Sequence, residues 1–437
     1  MKFHFPECSM YTDKEDWDND EYNRTMINNL ETEQIDSCTE LSRVKWAINS
    51  FMPFKSAGED QIFPALLQKT DDEFFIIIQT LYRHSLKLGY VPKSWRGVLV
   101  TFISKPEKED YSIPSSYRPI SLMSFILKGL EKLIDREIRE VDLIVNPLRN
   151  EQHAYRRGRG TESAIHNLVN YIEKSTERNK INITVLIDIS GAFDNTKIDT
   201  IEEHARSKNV KNWVLNWLLM MLKNRRVKAI GEACSTKIKP NRGCPQGGVL
   251  SPLLWSLCVD SLIQRLREEG LHITAYADDL AISTMGDNSK VCCDNLNKAM
   301  TIVEQWCTIT ELHVNPKKTE MVRFTKKYKI GLEMKKVKLF NEELHLSDNV
   351  KYLGVHLDSK LSMNEHVKQL YKKGIKSLWA TRAMVSRTWG LNPKTMLWVY
   401  KQIILPRITY GSVITWKAIE NNNTLNHHLK EFKDLPC

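Results

Sequence analysis

The stretch ITAYADDLAIS, residues 273–283, places two adjacent aspartates between two short apolar runs. The flanking residues are β-branched, small or aromatic, and they alternate as the two strands of a hairpin do. We therefore expect a hairpin with Asp278 and Asp279 at or next to its turn. Asp is a common turn residue that bonds its own backbone, so one interpretation is that the pair only stabilises the turn. The alternative is a bound divalent cation, because burying a carboxylate without a counter-charge costs several kcal/mol.

A second acidic site lies in TVLIDISGAFDN, residues 184–195. A short apolar run suited to a buried strand leads into Asp188, and a Gly-containing turn follows. We interpret Asp194 or Asn195 as the cap of the next helix. Asp188 is different, because together with the aspartate pair it supplies three carboxylates. On neighbouring strand ends these would hold two Mg²⁺ ions about 4 Å apart for an in-line phosphoryl displacement.

A Gly-rich segment, NRGCPQGGVLSPLLWSLCVDSLIQRL, spans residues 241–266. Its three glycines and first proline predict a tight turn, and Ser251-Pro252 predicts the cap and first position of an apolar-faced helix. A glycine backbone can approach a phosphate or a base closely, because no side chain intervenes. An ordinary loop before a helix is the other interpretation.

The composition is that of a globular protein, with 42% hydrophobic and 27% charged residues in 437, enough for about three domains or subdomains. The apolar stretch WVLNWLLMML is shorter than the roughly 20 residues that cross a bilayer, so we expect no membrane association. The first residues lack the apolar core of a signal peptide. The nine cysteines include no C-x-x-C pair, so we expect reduced thiols and an intracellular protein.

The charge is unevenly distributed along the chain. Residues 1–40 contain eleven acidic and three basic residues, a local charge of −8 that leaves +18 on the rest of a chain whose net charge is +10. The acidic cluster at residues 13–21 reads as a solvated tail. The basic remainder favours a polyanionic partner such as nucleic acid, although many soluble proteins are basic.

In the order Asp188, Gly-rich turn and Tyr-Ala-Asp-Asp, these elements resemble the reverse transcriptase family. The resemblance is closest to the non-LTR retrotransposon branch, the jockey-like and related LINE polymerases, rather than to retroviral or intron-type enzymes. Five further motifs carry the same resemblance in the same order: KSAGEDQIFPALL (55–67), YRPISLMSFILKGLEKLI (117–134), EQHAYRRGRGTESAI (151–165), NPKKTE (315–320) and KYLGVHLDSKLSMNEHV (351–367).

The resemblance implies an α+β right-hand polymerase with fingers, a palm built on an antiparallel sheet and a helical thumb. The expected domains are an acidic N-terminal extension (1–50), an N-terminal finger extension (51–97), the fingers and palm (98–357), and a helical thumb with a truncated C-terminal region (358–437). Complete elements of this branch usually carry an endonuclease as well. We therefore expect this chain to be a fragment of a larger element product, or a host copy of one.

The implied activity is RNA-directed DNA polymerisation, a nucleotidyl transfer that extends a DNA 3′-OH primer on an RNA template from deoxynucleoside triphosphates. A ribonucleoprotein of the nucleus and cytoplasm is the implied setting. By resemblance, Asp188 and Asp278 would ligate both Mg²⁺ ions, with Asp279 as the third carboxylate and Mn²⁺ as an alternative metal. The competing hypothesis is a catalytically inactive, nucleic-acid-binding remnant of such an element.

Other residues match family positions one by one. Phe193 matches the aromatic position that blocks a ribose 2′-OH, although it would also serve as a core aromatic. Lys318 matches a lysine that would protonate the pyrophosphate leaving group. The remaining matches would line the nucleotide (Gln246, Gly247), grip its triphosphate (Lys105, Arg118) or hold the primer end (Tyr352, Leu353, Gly354), and the Arg-rich motif supplies candidate nucleic-acid contacts (Arg156, Arg157, Arg159).

Overall fold

The structure is a computed structural model that describes residues 3–6, 8–10, 28–106, 108–230, 235–327, 335–384 and 389–420. The acidic cluster at residues 13–21 lies outside these ranges. None of the helices within them is both long and apolar enough to cross a membrane.

The strands of the described residues vary from two-residue pairings to ten residues. They are β1 (Ser9–Met10), β2 (Gly97–Ser104), β3 (Tyr117–Met123), β4 (Ile181–Ser190), β5 (Arg226–Ile230), β6 (Ser235–Lys239), β7 (His272–Tyr276), β8 (Asp279–Gly286), β9 (His313–Val314), β10 (Glu320–Phe324), β11 (Lys338–Leu339), β12 (Glu342–Glu343), β13 (Leu346–Ser347), β14 (Asn349–Tyr352) and β15 (Val355–Asp358).

The α-helices alternate with these strands and then predominate in the described residues between 364 and 420. They are α1 (Asn29–Cys38), α2 (Leu41–Asn49), α3 (Pro64–Gln68), α4 (Asp72–Lys87), α5 (Phe125–Glu137), α6 (Leu143–Val145), α7 (Thr161–Glu177), α8 (Ala192–Asn195), α9 (Ile198–Ser207), α10 (Asn212–Lys223), α11 (Ser251–Glu268), α12 (Ser289–Thr310), α13 (Asn364–Arg382), α14 (Pro393–Val399), α15 (Leu405–Ile408) and α16 (Ser412–Glu420). Short 3₁₀ turns occur at Lys93–Trp95, Pro114–Ser116 and Pro316–Lys318, and π-helical turns at Ile138–Asp142 and Tyr400–Ile404.

The chain divides into two compact units, each assembled from segments that are separated in sequence. Unit 1 comprises Met1–Asn150, Ile189–Gln264 and Gln305–His313. Unit 2 comprises Glu151–Asp188, Arg265–Glu304 and Val314–Cys437. The continuous domain ranges that we expected from the sequence therefore do not coincide with the units of the structure.

Unit 1 is built on a five-stranded sheet in the order β1-β6-β5-β2-β3, in which β2 and β5 are parallel and the other pairs antiparallel. Helix α5 buries residues at a helical period, among them Leu127, Leu130 and Ile134, so its apolar stripe enters the core. Two tryptophans of α10, Trp213 and Trp217, are also fully buried in this core.

The N-terminal helices α1 and α2, which lie within the expected N-terminal extension of residues 1–50, pack into the core of unit 1. Helices α1 and α2 contribute Ile35, Val44 and Ile48 to the core of unit 1, and all three side chains are fully buried. Asn28 caps α1 in a capping box with Glu31. Residues 28–49 are thus an integral part of unit 1, because the acidic composition of the first 40 residues concealed a buried apolar face.

Unit 2 is built on a sheet whose strands run in the order β13-β10-β4-β8-β7, with β10 and β13 parallel and the other pairs antiparallel. The central strand β4 is buried along almost its whole length. Helix α7 packs against β7, and its apolar face shares one core with the β14–β15 hairpin and with residues of β4, β8 and β10. Unit 2 thus confirms the hairpin predicted at residues 273–283.

Candidate functional site

The two adjacent aspartates lie where β7 turns into β8. Ala277 and Asp278 form a two-residue turn between the paired residues Tyr276 and Asp279. Ala277 has a φ of 56°, in the left-handed region that non-glycine residues seldom adopt. The turn therefore holds a strained conformation directly beside Asp278, and such outliers concentrate at functional sites.

The register of β4 with β8 brings the third carboxylate to the same place. Asp188 of β4 is directly opposite Asp279 of β8. Directly opposite residues of an antiparallel pair point to the same face of a sheet, with Cβ atoms about 4.5–5.5 Å apart. Both carboxylates and that of Asp278 are half-buried. Asp188 and the adjacent pair Asp278 and Asp279, which are distant from Asp188 in sequence, thus come together at one end of the β4–β8 ladder.

These carboxylates influence one another electrostatically. The pKa of Asp279 is raised to about 7, first by burial and then by the charges of Asp278 and Asp188. Like charges directly opposite each other in a sheet are destabilising unless a cation lies between them. In the part of the chain that the structure describes, no group of three or more His, Cys, Asp or Glu side chains is assembled in a way that could hold a metal ion. The donor chemistry still fits a hard divalent cation, which prefers carboxylate oxygens.

The arginine-rich loop before α7 is anchored on the strand that enters the aspartate turn. Ala275 of β7 accepts a hydrogen bond from the backbone N–H of His153 (2.8 Å) and donates one to the carbonyl of Glu151 (2.9 Å). Tyr155 then adopts a φ of 57°, and its pKa is raised by burial and by the nearby charge of Asp278. The loop, with its three predicted nucleic-acid contacts, therefore lies beside the carboxylates.

The predicted arginines of this loop differ in exposure. Arg157 is exposed, whereas Arg156 and Arg159 are half-buried and the N–H of Arg159 donates to the carbonyl of Arg156 at 3.2 Å. Arg156 also donates to the carbonyl of Gln152 at 3.4 Å. The three guanidinium groups thus belong to one ordered turn rather than to a random basic stretch.

Lys318 lies at the same end of the sheet as Asp188. It ends the 3₁₀ turn Pro316–Lys318, which leads into β10, and its side chain is exposed. The antiparallel register places Glu320 of β10 opposite Leu186 of β4. Lys318, two residues before Glu320, and Asp188, two residues after Leu186, therefore lie at the same end of this strand pair. The structure therefore brings the predicted proton donor to the edge where the carboxylates lie.

The predicted primer-holding segment is the turn of a second hairpin in unit 2. Leu353 and Gly354 connect β14 to β15, and Tyr352 is the residue that precedes them. The buried Tyr352 hydroxyl donates to the carbonyl of Thr274 on β7 at 3.2 Å. Burial and the charge of Asp279 raise its pKa. This hairpin is therefore attached to the strand that carries the aspartate turn.

The residues predicted to contact the nucleotide all belong to unit 1. The Gln246-Gly247 turn lies against β3, where the N–H of Ser121 donates to the Gln246 carbonyl at 2.7 Å. At its other end, Gly243 donates to the Thr196 carbonyl at 2.7 Å and Cys244 to the Phe193 carbonyl at 2.6 Å. The Gly-rich segment is thus held at both ends by backbone hydrogen bonds, which an unconstrained loop would lack.

Two glycines of this segment, Gly243 and Gly247, lie so close to other backbone atoms that a side chain would not fit. A Cβ added at Gly243 would lie 2.4 Å from the Asp194 carbonyl oxygen, and one at Gly247 would lie 2.6 Å from the Ser121 carbonyl oxygen. Both residues also have a positive φ, of 84° and 120° respectively. The helix predicted after the segment is present as α11, which begins at Ser251. The Ser251 hydroxyl, predicted as the helix cap, donates instead to the Pro245 carbonyl at 2.8 Å and so closes the turn.

Asp194 is not the helix cap that we expected. Gly191 precedes α8 and Lys197 precedes α9, and neither helix has a side-chain cap. The Asp194 carboxylate instead accepts a hydrogen bond from the Gln246 amide at 3.2 Å. Its pKa is raised to about 7 by burial, against the opposing effect of Arg225. The interpretation as a cap was wrong because local sequence does not show which long-range donor a carboxylate meets.

Phe193 and the two predicted triphosphate cations lie near this turn in unit 1. The Phe193 ring is half-buried at the edge of the core, 6.4 Å from the ring of Trp255, which leaves both of its predicted roles open. Lys105 follows β2, and its ammonium donates to the Ser115 carbonyl at 2.9 Å. Arg118 is exposed in β3, opposite Ile103. Lys105 also lowers the pKa of Asp194.

Two buried charged residues support the Gly-rich segment and were missed in the sequence. Arg225 donates to the carbonyls of Arg242 and Gly243, both at 2.8 Å. Glu131 is fully buried and accepts from the Val249 N–H at 3.1 Å, and burial raises its pKa to about 7. A signal for Glu131 was present, because it interrupts the otherwise apolar face of α5.

Comparison with known proteins identifies a family. Residues 103–357, more than half of the chain, match the family model described as reverse transcriptase (RNA-dependent DNA polymerase). That family generally uses divalent metal ions. The matched range contains every predicted site residue, from Lys105 to Gly354.

The similar curated proteins come from mobile elements. The chain is 27% identical to the probable RNA-directed DNA polymerase from transposon BS of Drosophila melanogaster, over 86% of this chain and 42% of that protein. It is 24% identical to the RNA-directed DNA polymerase from mobile element jockey of Drosophila funebris, over 85% and 41%. A type-1 retrotransposable element R1 polyprotein of Bradysia coprophila is 24% identical over 87% and 37%. The chain thus spans about two fifths of the length of these relatives, and the resemblance to non-LTR retrotransposon polymerases is confirmed.

Proposed function

We propose that this chain, which belongs to the reverse transcriptase family, extends a DNA 3′-OH primer on an RNA template as the polymerase part of a non-LTR retrotransposon protein. The observation that carries this proposal is the register of β4 with β8, which sets Asp188 opposite Asp279 beside the Asp278 turn. Three carboxylates at one sheet edge serve a reaction in which negative charge accumulates on phosphate oxygens.

The carboxylates would hold divalent cations, two Mg²⁺ ions with Mn²⁺ as an alternative. Asp188 and Asp278 would ligate both ions, with Asp279 as the third carboxylate. The ions would supply charge neutralisation for the triphosphate and activation of the primer hydroxyl. In support, the pKa of Asp279 is raised by burial and then by its carboxylate neighbours Asp278 and Asp188, so a cation bound there would relieve part of an existing repulsion.

The nucleotide would bind to unit 1 residues. The Gln246 amide is oriented by Asp194, and the close approach of Gly247 to the Ser121 carbonyl fixes the turn that would present this amide to the nucleotide. The exposed Arg118 and the Lys105 ammonium would neutralise the triphosphate, and the Phe193 ring would exclude a 2′-OH by its volume. Lys318 would donate the proton that the leaving pyrophosphate needs.

The nucleic acid would contact unit 2 residues. The arginine loop lies beside the aspartate turn and offers three guanidinium groups for phosphates. The Leu353-Gly354 turn would hold the primer end. We assign the sheet of unit 2 to the palm and α13–α16 to the thumb of a right-hand polymerase. We place the protein inside the cell, in a ribonucleoprotein of the cytoplasm and nucleus, as its basic charge suits RNA.

Primer extension by the purified chain on an RNA template tests this function. The substitutions Asp188→Asn and Asp278→Asn keep the shape of each side chain and remove one negative charge. Each is expected to lower extension by several orders of magnitude, because a ligand used in the transition state is lost. Asp287→Asn is the matched control, since Asp287 is exposed just beyond the opposite end of β8.

A second measurement separates metal binding from catalysis. Mg²⁺ or Mn²⁺ alone is expected to raise the melting temperature of the wild-type chain and of Asp287→Asn, and to leave Asp278→Asn unchanged. Well-folded wild-type protein that binds the metal but does not extend the primer would support the inactive remnant. Near-normal extension by Asp188→Asn or Asp278→Asn would refute the metal assignment.

A further inference from the structure

The Leu353-Gly354 turn has an unusually demanding backbone. Tyr352 and Val355 pair on either side of it, so the turn contains only two residues. Both have a positive φ, 45° at Leu353 and 83° at Gly354. Two-residue hairpin turns of this kind favour Asn or Gly at the first position, and a leucine there is strained. Some other contact must therefore stabilise the turn in this conformation.

Tyr410, which follows α15, makes that contact. Its hydroxyl donates to the carbonyl of Leu353 at 2.6 Å. Its ring also covers the second turn residue, because a Cβ added at Gly354 would lie 3.2 Å from the Tyr410 Cε1 atom. One side chain thus holds both residues of the turn, one by a hydrogen bond and the other by ring contact.

Tyr410 is itself fixed in place. His366 of α13 donates through Nε2 to the Tyr410 carbonyl at 3.1 Å, and the His366 Nδ1 accepts from the His356 N–H at 3.5 Å. Gly411 has a φ of 75°, and a Cβ there would lie 3.1 Å from the His366 ring. The tyrosine is therefore held by a buried histidine before it reaches the turn.

The turn is attached to the carboxylate site on its other side. The Tyr352 hydroxyl donates to the Thr274 carbonyl on β7, and β7 continues into the Ala277-Asp278 turn. Two tyrosines therefore fix the same turn: Tyr352 attaches it to the β7–β8 hairpin, and Tyr410 attaches it to the segment that follows α15. Every one of these contacts lies within unit 2.

We propose that Tyr410 is a positioning residue that sets the Leu353-Gly354 turn, and with it the primer 3′ end, relative to the aspartate turn. This rests on the proposed polymerase function. Without the phenol hydroxyl, the Leu353 carbonyl loses its partner, and a leucine in the left-handed region can relax to an ordinary conformation. The primer hydroxyl would then spend less time aligned with the reacting phosphate, which lowers the rate of the chemical step.

The test compares Tyr410→Phe with Tyr400→Phe in primer extension on an RNA template. Tyr410→Phe removes only the hydroxyl, and Tyr400, in the π-helical turn, is 42% exposed and serves as the matched control. At saturating primer, kcat of Tyr410→Phe is expected to fall about 3- to 10-fold, with KM for the nucleotide and the melting temperature nearly unchanged. Tyr400→Phe is expected to match the wild type.

Hydrogen exchange gives a readout that does not depend on activity. The amides of residues 353–355 are expected to exchange faster in Tyr410→Phe than in wild type, and to the same extent in Gly354→Ala. The two substitutions should be non-additive in kcat, because they act on one contact. A wild-type chain that fails to extend any primer would refute the proposed function, while the exchange rates would still test the Tyr410 contact. Tyr410→Phe with wild-type kcat, or with wild-type exchange, would overturn the positioning role.

Discussion

Replacing Gly247 by alanine tests whether the Gln246-Gly247 turn is as tightly constrained as its contacts indicate. Gly247 has a φ of 120°, where a side chain is strained, and an added Cβ would lie 2.6 Å from the Ser121 carbonyl oxygen. The turn cannot move away from Ser121 without cost, because the Ser121 N–H donates to the Gln246 carbonyl at 2.7 Å. Gly247→Ala therefore strains the backbone and, because the Cβ displaces Ser121, also weakens or breaks this hydrogen bond.

The size of the effect follows from these two contributions. A non-glycine residue in such a backbone region costs about 1–3 kcal/mol. The lost hydrogen bond adds about 0.5–1.5 kcal/mol. Together they amount to about 1.5–4.5 kcal/mol, so the affinity of a nucleotide that binds the native turn is expected to fall roughly 10- to 1,600-fold at about 1.4 kcal/mol per tenfold.

The assay measures KM for deoxynucleotides in primer extension and the urea midpoint of unfolding. Gly270→Ala is the matched control, since Gly270 also has a positive φ, of 75°, but a Cβ there would meet nothing within 4 Å. Gly270→Ala thus carries backbone strain without the clash. The reasoning is refuted if Gly247→Ala loses no more stability and no more nucleotide affinity than this control.

Three further predictions concern other parts of the site. Phe193→Ala is expected to admit ribonucleotides, since its ring would exclude a 2′-OH by volume, and an unchanged ratio of deoxy to ribo incorporation in active protein would assign it to the core. Replacing Arg156, Arg157 and Arg159 together by Gln should reduce the slope of log K against log salt for single-stranded RNA by about 2, at about 0.7 per phosphate contact, whereas an unchanged slope would exclude the loop. Burial lowers the pKa of His272 to about 4. The unfolded chain therefore binds a proton that the folded chain does not, and stability falls as the pH drops from 6.5 toward 4. His272→Gln should flatten this fall in the urea midpoint, and an unchanged pH profile would contradict it.

The local elements of this fold were predictable from the sequence. The alternating residues 273–283 formed the expected hairpin, and the apolar stripe after Ser124 formed α5. The Ser251-Pro252 pair likewise marked the beginning of α11. Each of these patterns reflects a periodicity or a turn preference that acts over a few residues, so the sequence contains the whole signal.

Long-range pairing was not predictable in the same way. The match between Asp188 and Asp279 depends on a register between strands about 90 residues apart, which no local pattern specifies. The same limit explains Asp194, whose carboxylate binds the Gln246 amide instead of capping a helix. It also explains Tyr410, which lies 57 residues from the carbonyl that it binds. Family resemblance supplied the candidate residues, whereas their support by neighbouring side chains emerged only from the fold.

The buried charges beneath the Gly-rich segment explain how a flexible sequence forms a fixed turn. Glycines lose more conformational entropy on ordering than other residues, so this turn needs strong partners. Arg225, 3% exposed, provides them by donating to two carbonyls of the segment, and Glu131 provides another by accepting from Val249. Burial also raises the pKa of Glu131 and of Asp194 to about 7. A carboxyl group whose pKa is raised by burial carries less negative charge near neutral pH than an ordinary carboxylate, so Glu131 and Asp194 would repel the proposed triphosphate less while they still hold the turn.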